Sequence, residues 1–206
     1  MRLAPLYPIL DAEMAAARGH DLIACARGFA GLGIEVQQLR AKTLSGGAFF
    51  ELAQRLAAVV PTLIVNDRAD IARLAGAAGV HVGQLDLPVA AALALAPDTP
   101  ARWIVGVSTH NAAQVAAAAS SGARYLAIGP VFATRSKADP DPVVGLEGVA
   151  EARRLYPGPL VAIGGVGLKN AAATRGAGAD AVAVISGLWA ADDPVEAARR
   201  LLLACA

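Results

Sequence analysis

The sequence predicts a single (β/α)8 TIM barrel over residues 1–206, and three observations carry that expectation. Eight short, β-branched, nearly charge-free runs recur along the chain, the pattern of parallel strands covered on both faces. Alanine- and leucine-rich segments with helical spacing lie between them, giving a strand–helix alternation. The connections are short, with no linker, low-complexity tract or second composition to mark another domain. An open doubly wound sheet is the alternative architecture; against it, no Gly-x-Gly-x-x-Gly follows the first run.

The eight expected strands are LYPIL (6–10), IEVQQLR (34–40), TLIV (62–65), GVHV (79–82), WIVGV (103–107), RYLAIG (124–129), LVAIG (160–164) and AVAVIS (181–186). Helical spacing is clearest over 48–59, 111–120 and 146–156, with Gly31, Gly122 and Gly178 placed to end helices. One connection is unlike the rest. PVFATRSKADPDPVVG (130–145) carries three prolines, two aspartates, an arginine and a lysine, which suits a lid or binding loop, the alternative being a disordered surface insert.

Composition narrows the partners. At net charge +1 with the charges scattered, no basic stripe suits nucleic acid and no polybasic run suits an anionic membrane surface. The mean hydropathy of +0.50 comes largely from alanine, and every apolar stretch is interrupted before ~18 residues, so no spanning helix is expected. Cys25 and Cys205 stand in helical contexts without metal-ligand spacing and read as buried thiols of a reducing compartment. With MRLAPLYPILD resembling neither a signal nor a transit peptide, the cytoplasm is expected.

In a barrel, the residues just after each strand converge on one rim, so polar residues at those places are the site candidates. Gln38, Arg40 and Lys42 alternate along QLRAK and would share one side, a pair of cations suited to an anion or else an exposed basic strand end. Asp67 and Asp86 follow neighbouring strands and would reach one hard cation such as Mg²⁺, which takes one or two carboxylates plus water and substrate phosphates. Each could instead cap the helix that follows. The glycines of AIGGVGLKN and the start of ISGLW resemble barrel loops that hold a phosphate on backbone amides, with Gly165 and Ser186 as candidates, or simply close-packed turns. Ser108, His110, Thr134, Ser136 and Lys137 complete the rim. Together these residues describe an enzyme joining a phosphorylated molecule to one that leaves a diphosphate.

QLRAK, VNDRADIA, GVHVGQLDLP, GVSTH, GPVFATRSK, GLEG, AIGGV and GADAVAVISG occur in the order found in the thiamine-phosphate synthase (thiamine-phosphate pyrophosphorylase) family, which this chain resembles over nearly its whole length. The resemblance implies a Mg²⁺-dependent transferase coupling 4-amino-2-methyl-5-(diphosphooxymethyl)pyrimidine to hydroxyethylthiazole phosphate, with release of pyrophosphate. It implies that Gln38, Arg40, Lys42, Asn66, Ser108 and Lys137 contact the pyrimidine diphosphate, with Lys137, Ser108 and Arg40 catalytic. Asp67 and Asp86 would ligate the metal, and Thr134, Arg135, Ser136, Gly165, Ile185 and Ser186 would hold the thiazole phosphate. The family is thought to react by loss of pyrophosphate to a pyrimidine-stabilised cation, which calls for charge stabilisation and a dry site more than for a base. Two departures stand out: Ala41 replaces the usual acidic residue of QLREK, where alternation would turn it away from the cluster, and Ser136 replaces a common threonine while keeping the hydroxyl.

Two rival readings remain at this stage. A thiazole tautomerase on the same barrel would use His110 for proton transfer, although the two-aspartate pair is foreign to that reaction and favours an orienting role for His110. A non-catalytic phospho-ligand sensor would have lost part of the Arg40, Lys42, Asp67, Asp86 and Lys137 set, which is complete. His81 and His20 read as ordinary strand and helix residues, His81 close to the expected metal pair; Trp103 and Trp189 read as packing residues. A homodimer is left open.

Overall fold

A computed structural model describes residues 3–97, 103–134 and 141–205. Eight parallel strands, β1 (Leu6–Asp11), β2 (Val36–Arg40), β3 (Thr62–Asn66), β4 (Gly79–Val82), β5 (Ile104–Thr109), β6 (Tyr125–Ile128), β7 (Leu160–Ile163) and β8 (Ala181–Val184), close in sequence order, with β8 pairing back onto β1. The expected runs are all strands; their ends differ by no more than two residues. Thus β5 extends to Thr109 and takes in Ser108, whereas β8 stops at Val184 and leaves Ser186 to the next helix.

The helices are α1 (Ala12–Ala17), α2 (Leu22–Gly31), α3 (Gly46–Ala57), α4 (Ala69–Leu74), α5 (Val89–Ala94), α6 (Ala112–Ala119), α7 (Gly145–Leu155), α8 (Ala171–Gly176), α9 (Ser186–Trp189) and α10 (Pro194–Ala204). Several begin where a short polar side chain accepts the first free amides: Asp21 from Ile23 and Ala24, Ser45 from Ala48, Asn111 from Gln114, and Asp193 from Val195 and Glu196. Gly31 does not end its helix from outside; it is the last helical residue, and the left-handed turn falls on Gly33 (φ +82°). His20 lies between α1 and α2 rather than on a helix, its Nε2 3.1 Å from the Ala191 carbonyl oxygen.

Strand alternation sorts the apolar residues into two cores. Outward residues such as Leu10, Leu39, Val65 and Val182 meet Phe29, Phe49, Leu56 and Trp189 from the helices, all almost fully buried, and each large side chain there stabilises the fold by about 2 kcal/mol. Trp189 and Trp103 are packing residues as expected, and both indoles are anchored, Trp189 Nε1–H to Ile9 O (2.7 Å) and Trp103 Nε1–H to Ala92 O (2.9 Å). The inward residues Tyr7, Ile9, Val36, Ile64, Tyr125, Ala127, Val161, Ala181 and Ala183 fill the barrel itself. Cys25 and Cys205 are buried free thiols, raised in pKa by burial. Among the described residues no helix is long and apolar enough to cross a membrane.

Candidate active site at the barrel rim

The rim over β1–β4 is built of charged side chains. Gln38 and Arg40 share the inward face of β2, and Arg40 Nη1 lies 2.5 Å from Oδ2 of Asp11, the last residue of β1 and 1% exposed. Register places Asp11 opposite Arg40, and Asp11 also accepts the Met14 amide at 2.9 Å, so one carboxylate caps α1 and fixes the guanidinium. Lys42 lies past the end of β2, yet its ammonium still reaches the Asp67 carboxylate. Glu13 Oε1 holds that turn by accepting the amides of Lys42 (2.7 Å) and Thr43 (2.8 Å). Ala41 is 8% exposed and packed in the helix-facing core, turned from the cluster as alternation predicts.

Asp67 has φ +62°, the only left-handed non-glycine among the described residues, and its amide donates to His81 O at 2.8 Å. Such a backbone costs of order 1 kcal/mol and is characteristic of functional positions. Burial raises the Asp67 carboxyl above the usual range, the adjacent Asp86 carboxyl raises it further, and the Lys42 ammonium opposes both. Asp86 is held through Oδ2 by the Gly83 amide at 2.7 Å. Neither aspartate caps a helix: the residues preceding α4 and α5 are Arg68 and Pro88, without side-chain cap bonds. Asn66, the half-buried last residue of β3, is in register with His81.

Beneath this rim a polar chain crosses the barrel. Gln38 Nε2–H donates to the Tyr7 hydroxyl (3.2 Å), which is 2.8 Å from the Tyr125 hydroxyl; that hydroxyl is 2.8 Å from His81 Nδ1, and His81 Nε2 is 2.9 Å from Ser108 Oγ. Gly106 makes room for it, since a Cβ there would lie 2.1 Å from the Tyr125 ring. Burial lowers the His81 pKa to about 4, keeping the ring neutral, and raises both tyrosines.

The rim over β6–β8 is made of backbone. Gly164 (φ +99°) and Gly165 (φ +65°) follow β7, where the Val131 and Phe132 amides donate to Ile163 O and Gly164 O. A Cβ at Gly165 would lie 2.6 Å from Ala133 O and 2.7 Å from Phe132 Cβ, so the loop after β6 packs against it while Gly165 itself stays exposed. Ile185 is half-buried, and Ser186 is the exposed first residue of α9. The 130–145 connection leaves and returns at one neck, where Val144 N–H donates to Pro130 O (2.9 Å) and Gly145 N–H to Val131 O (3.2 Å). Thr134 is on its described part; Arg135, Ser136 and Lys137 lie outside the described residues. His110 places Nδ1 2.6 Å from Gly129 O and Nε2 3.4 Å from Asp141 Oδ2, an orienting arrangement.

Gln38, Arg40, Lys42, Asn66, Asp67, Asp86 and Ser108 thus occupy one end of the barrel, and Gly165, Ile185 and Ser186 the strand ends of β7 and β8 at the same rim. The structure adds Asp11, Glu13, Tyr7 and Tyr125, which the motifs did not single out. Asp11 follows LYPIL as Asp67 follows TLIVN, and the alternation of LYPILD places Tyr7 and Asp11 on one face, so both were within reach of the strand pattern.

Residues 6–188 match a family model described as thiamine monophosphate synthase. The thiamine-phosphate synthase of Anaeromyxobacter dehalogenans is 43% identical over 204 residues, covering 97% of this chain and 87% of that protein. The one from Koribacter versatilis is 42% identical over 208 residues, with 98% and 96% covered. Among solved structures, thiamine phosphate pyrophosphorylase from Pyrococcus furiosus superposes with a TM-score of 0.85 at 29% identity, covering 98% of this chain and 95% of that one.

Proposed function

This chain belongs to the thiamine monophosphate synthase family and makes thiamine phosphate, and we propose that the reaction runs at the rim described above, between a pyrimidine diphosphate bound over β2–β5 and a thiazole phosphate bound over β6–β8. The observation that carries this assignment is the meeting of Lys42 with Asp67 and Asp86 at the ends of β2–β4, with Arg40 held on the same face of β2 by Asp11. Two cations and two carboxylates at one mouth suit a diphosphate bound with a divalent ion.

The donor set fits Mg²⁺. Asp67 and Asp86 offer hard oxygens side by side, their mutual repulsion being part of what raises Asp67, and among the described residues no group of three or more His, Cys, Asp or Glu forms an all-protein cage. When bound, the ion would neutralise charge on the departing diphosphate. Arg40, pre-aimed by Asp11, and Lys42 supply fixed positive charge to the same group, with Lys137 expected to join them from the loop. Asn66 and Ser108 orient the pyrimidine side. Amides at Gly165 and Ser186, with Thr134, Arg135 and Ser136, receive the thiazole phosphate, and Ile185 supplies an apolar contact. His110, tied to Gly129 O and facing Asp141, is poorly disposed for the proton transfer of a tautomerase.

The test is pyrophosphate release measured with each substrate alone and with both, with and without Mg²⁺. Release that needs both substrates and the ion is expected. Isomerisation of a thiazole phosphate without pyrophosphate release would overturn the assignment.

A further inference from the structure

The hydrogen-bond chain inside the barrel has a direction that can be worked out by counting hydrogens. Tyr7 and Tyr125 are 1% and 0% exposed, so neither hydroxyl hydrogen can be given to bulk water. The Tyr7 oxygen accepts from Gln38 Nε2–H, and among the described residues the other polar partner of the Tyr7 hydroxyl is Tyr125. Tyr7 must therefore donate to Tyr125. Tyr125 is approached by donors from Tyr7 and Gln38, and its own hydrogen goes to His81 Nδ1. A neutral imidazole with a bare Nδ1 carries its hydrogen on Nε2, and that hydrogen points to Ser108 Oγ at 2.9 Å. The reverse order would leave the Tyr7 hydrogen buried without an acceptor among the described residues. Gln38 presents its amide nitrogen, not its carbonyl oxygen, to the Tyr7 hydroxyl, which sets the start of the chain.

We infer that Tyr7, Tyr125 and His81 are positioning residues that hold Ser108 as an obligate hydrogen-bond donor toward the mouth of the barrel, where it selects an acceptor atom on the bound pyrimidine diphosphate. Ser108 accepts from His81, so its one hydroxyl hydrogen remains for the ligand, and Ser108 is partly exposed at the inner end of the rim. Its backbone is fixed as well, through Ser108 O accepting Gln84 Nε2–H at 2.6 Å. Gly106 belongs to the same device, because its missing side chain is what admits the Tyr125 ring between β5 and His81. The identity of the ligand rests on the function proposed above; the direction of the chain does not.

The test has two arms. In ¹⁵N-histidine-labelled protein without ligands, long-range ¹H–¹⁵N correlation should show His81 with the proton on Nε2 and a bare Nδ1, its signals assigned by their loss in His81→Gln. A proton on Nδ1 would overturn the inference whatever the enzyme's reaction. In the second arm, single-turnover synthesis should slow roughly tenfold in Tyr125→Phe and on the order of 10²-fold in Ser108→Ala, with KM for the thiazole phosphate unchanged in both. Added to Ser108→Ala, Tyr125→Phe should cost nothing more, because its effect passes through the serine. Fully additive losses would overturn the inference.

Discussion

The two halves of the rim reach a shared task by different means. Over β1–β5 the polar atoms belong to side chains that are already committed to one another: Arg40 to Asp11, Lys42 to Asp67, His81 to Tyr125 and Ser108. Over β6–β8 they belong mostly to backbone, shaped by Gly164 and Gly165 and by the loop packed on them. A preset side-chain half suits a substrate whose charge changes during reaction, because donors fixed beforehand need no reorganisation when a leaving group develops negative charge. A backbone half suits a phosphate that is only held.

Five experiments would break or sharpen that contrast. The largest effect is expected where charge meets the leaving group. Asp67→Asn and Asp86→Asn should each raise the Mg²⁺ concentration needed for half-maximal pyrophosphate release and lower turnover on the order of 10²-fold, and asparagine tolerates the left-handed backbone at 67. Lys137→Ala should lower kcat by on the order of 10²- to 10³-fold; single-turnover rates within about threefold of the parent would remove Lys137 from the diphosphate site.

Next comes the buried histidine. His81 is neutral in the fold, with a pKa near 4, but titrates near 6.5 once unfolded. Between those values the unfolded chain binds the extra proton, so stability is complete above about pH 6.5 and declines as pH falls toward 4, by about 3 kcal/mol in all. Urea titrations at pH 7, 5.5 and 4 should show this slope, and His81→Gln should flatten it.

Asp11→Asn leaves Arg40 without its charge partner while keeping an acceptor for Met14 N–H, and should cost about 2 kcal/mol in denaturation together with a raised KM for the pyrimidine diphosphate. The smallest effect belongs to the backbone half. Gly165→Ala sets a methyl group against Ala133 O at a left-handed residue, for about 1–2 kcal/mol, and should raise KM for the thiazole phosphate alone. If it changed both KM values equally, the two halves would not be separable.

The same contrast explains what the sequence makes legible. All eight strands can be read from β-branched runs because parallel strands buried on both faces leave an almost charge-free signature, whereas their ends are set by pairing with neighbours and shift by up to two residues. Polar residues ending a strand, such as Asn66 and Asp67, are legible by position. Asp11 is obscured because an aspartate before AEMAAA is also a good helix cap, and in the fold it plays both parts. His81 is obscured for another reason. Its importance lies in partners 44 and 27 residues away, Tyr125 and Ser108, which only closure of the barrel brings together. The glycines of the backbone half are visible as letters, but what each one accommodates, such as Ala133 O at Gly165, depends on a loop whose path no local pattern fixes.

The neck of the 130–145 connection has a consequence of its own. Two main-chain bonds, Val144 to Pro130 and Gly145 to Val131, fasten its base independently of the residues between. Lengthening such a tethered tract changes closure entropy only logarithmically, by about 0.6 kcal/mol per doubling. The tract can therefore change in length while β6 and α7 keep their places, so long as Lys137 and the other residues expected to meet the substrates are retained.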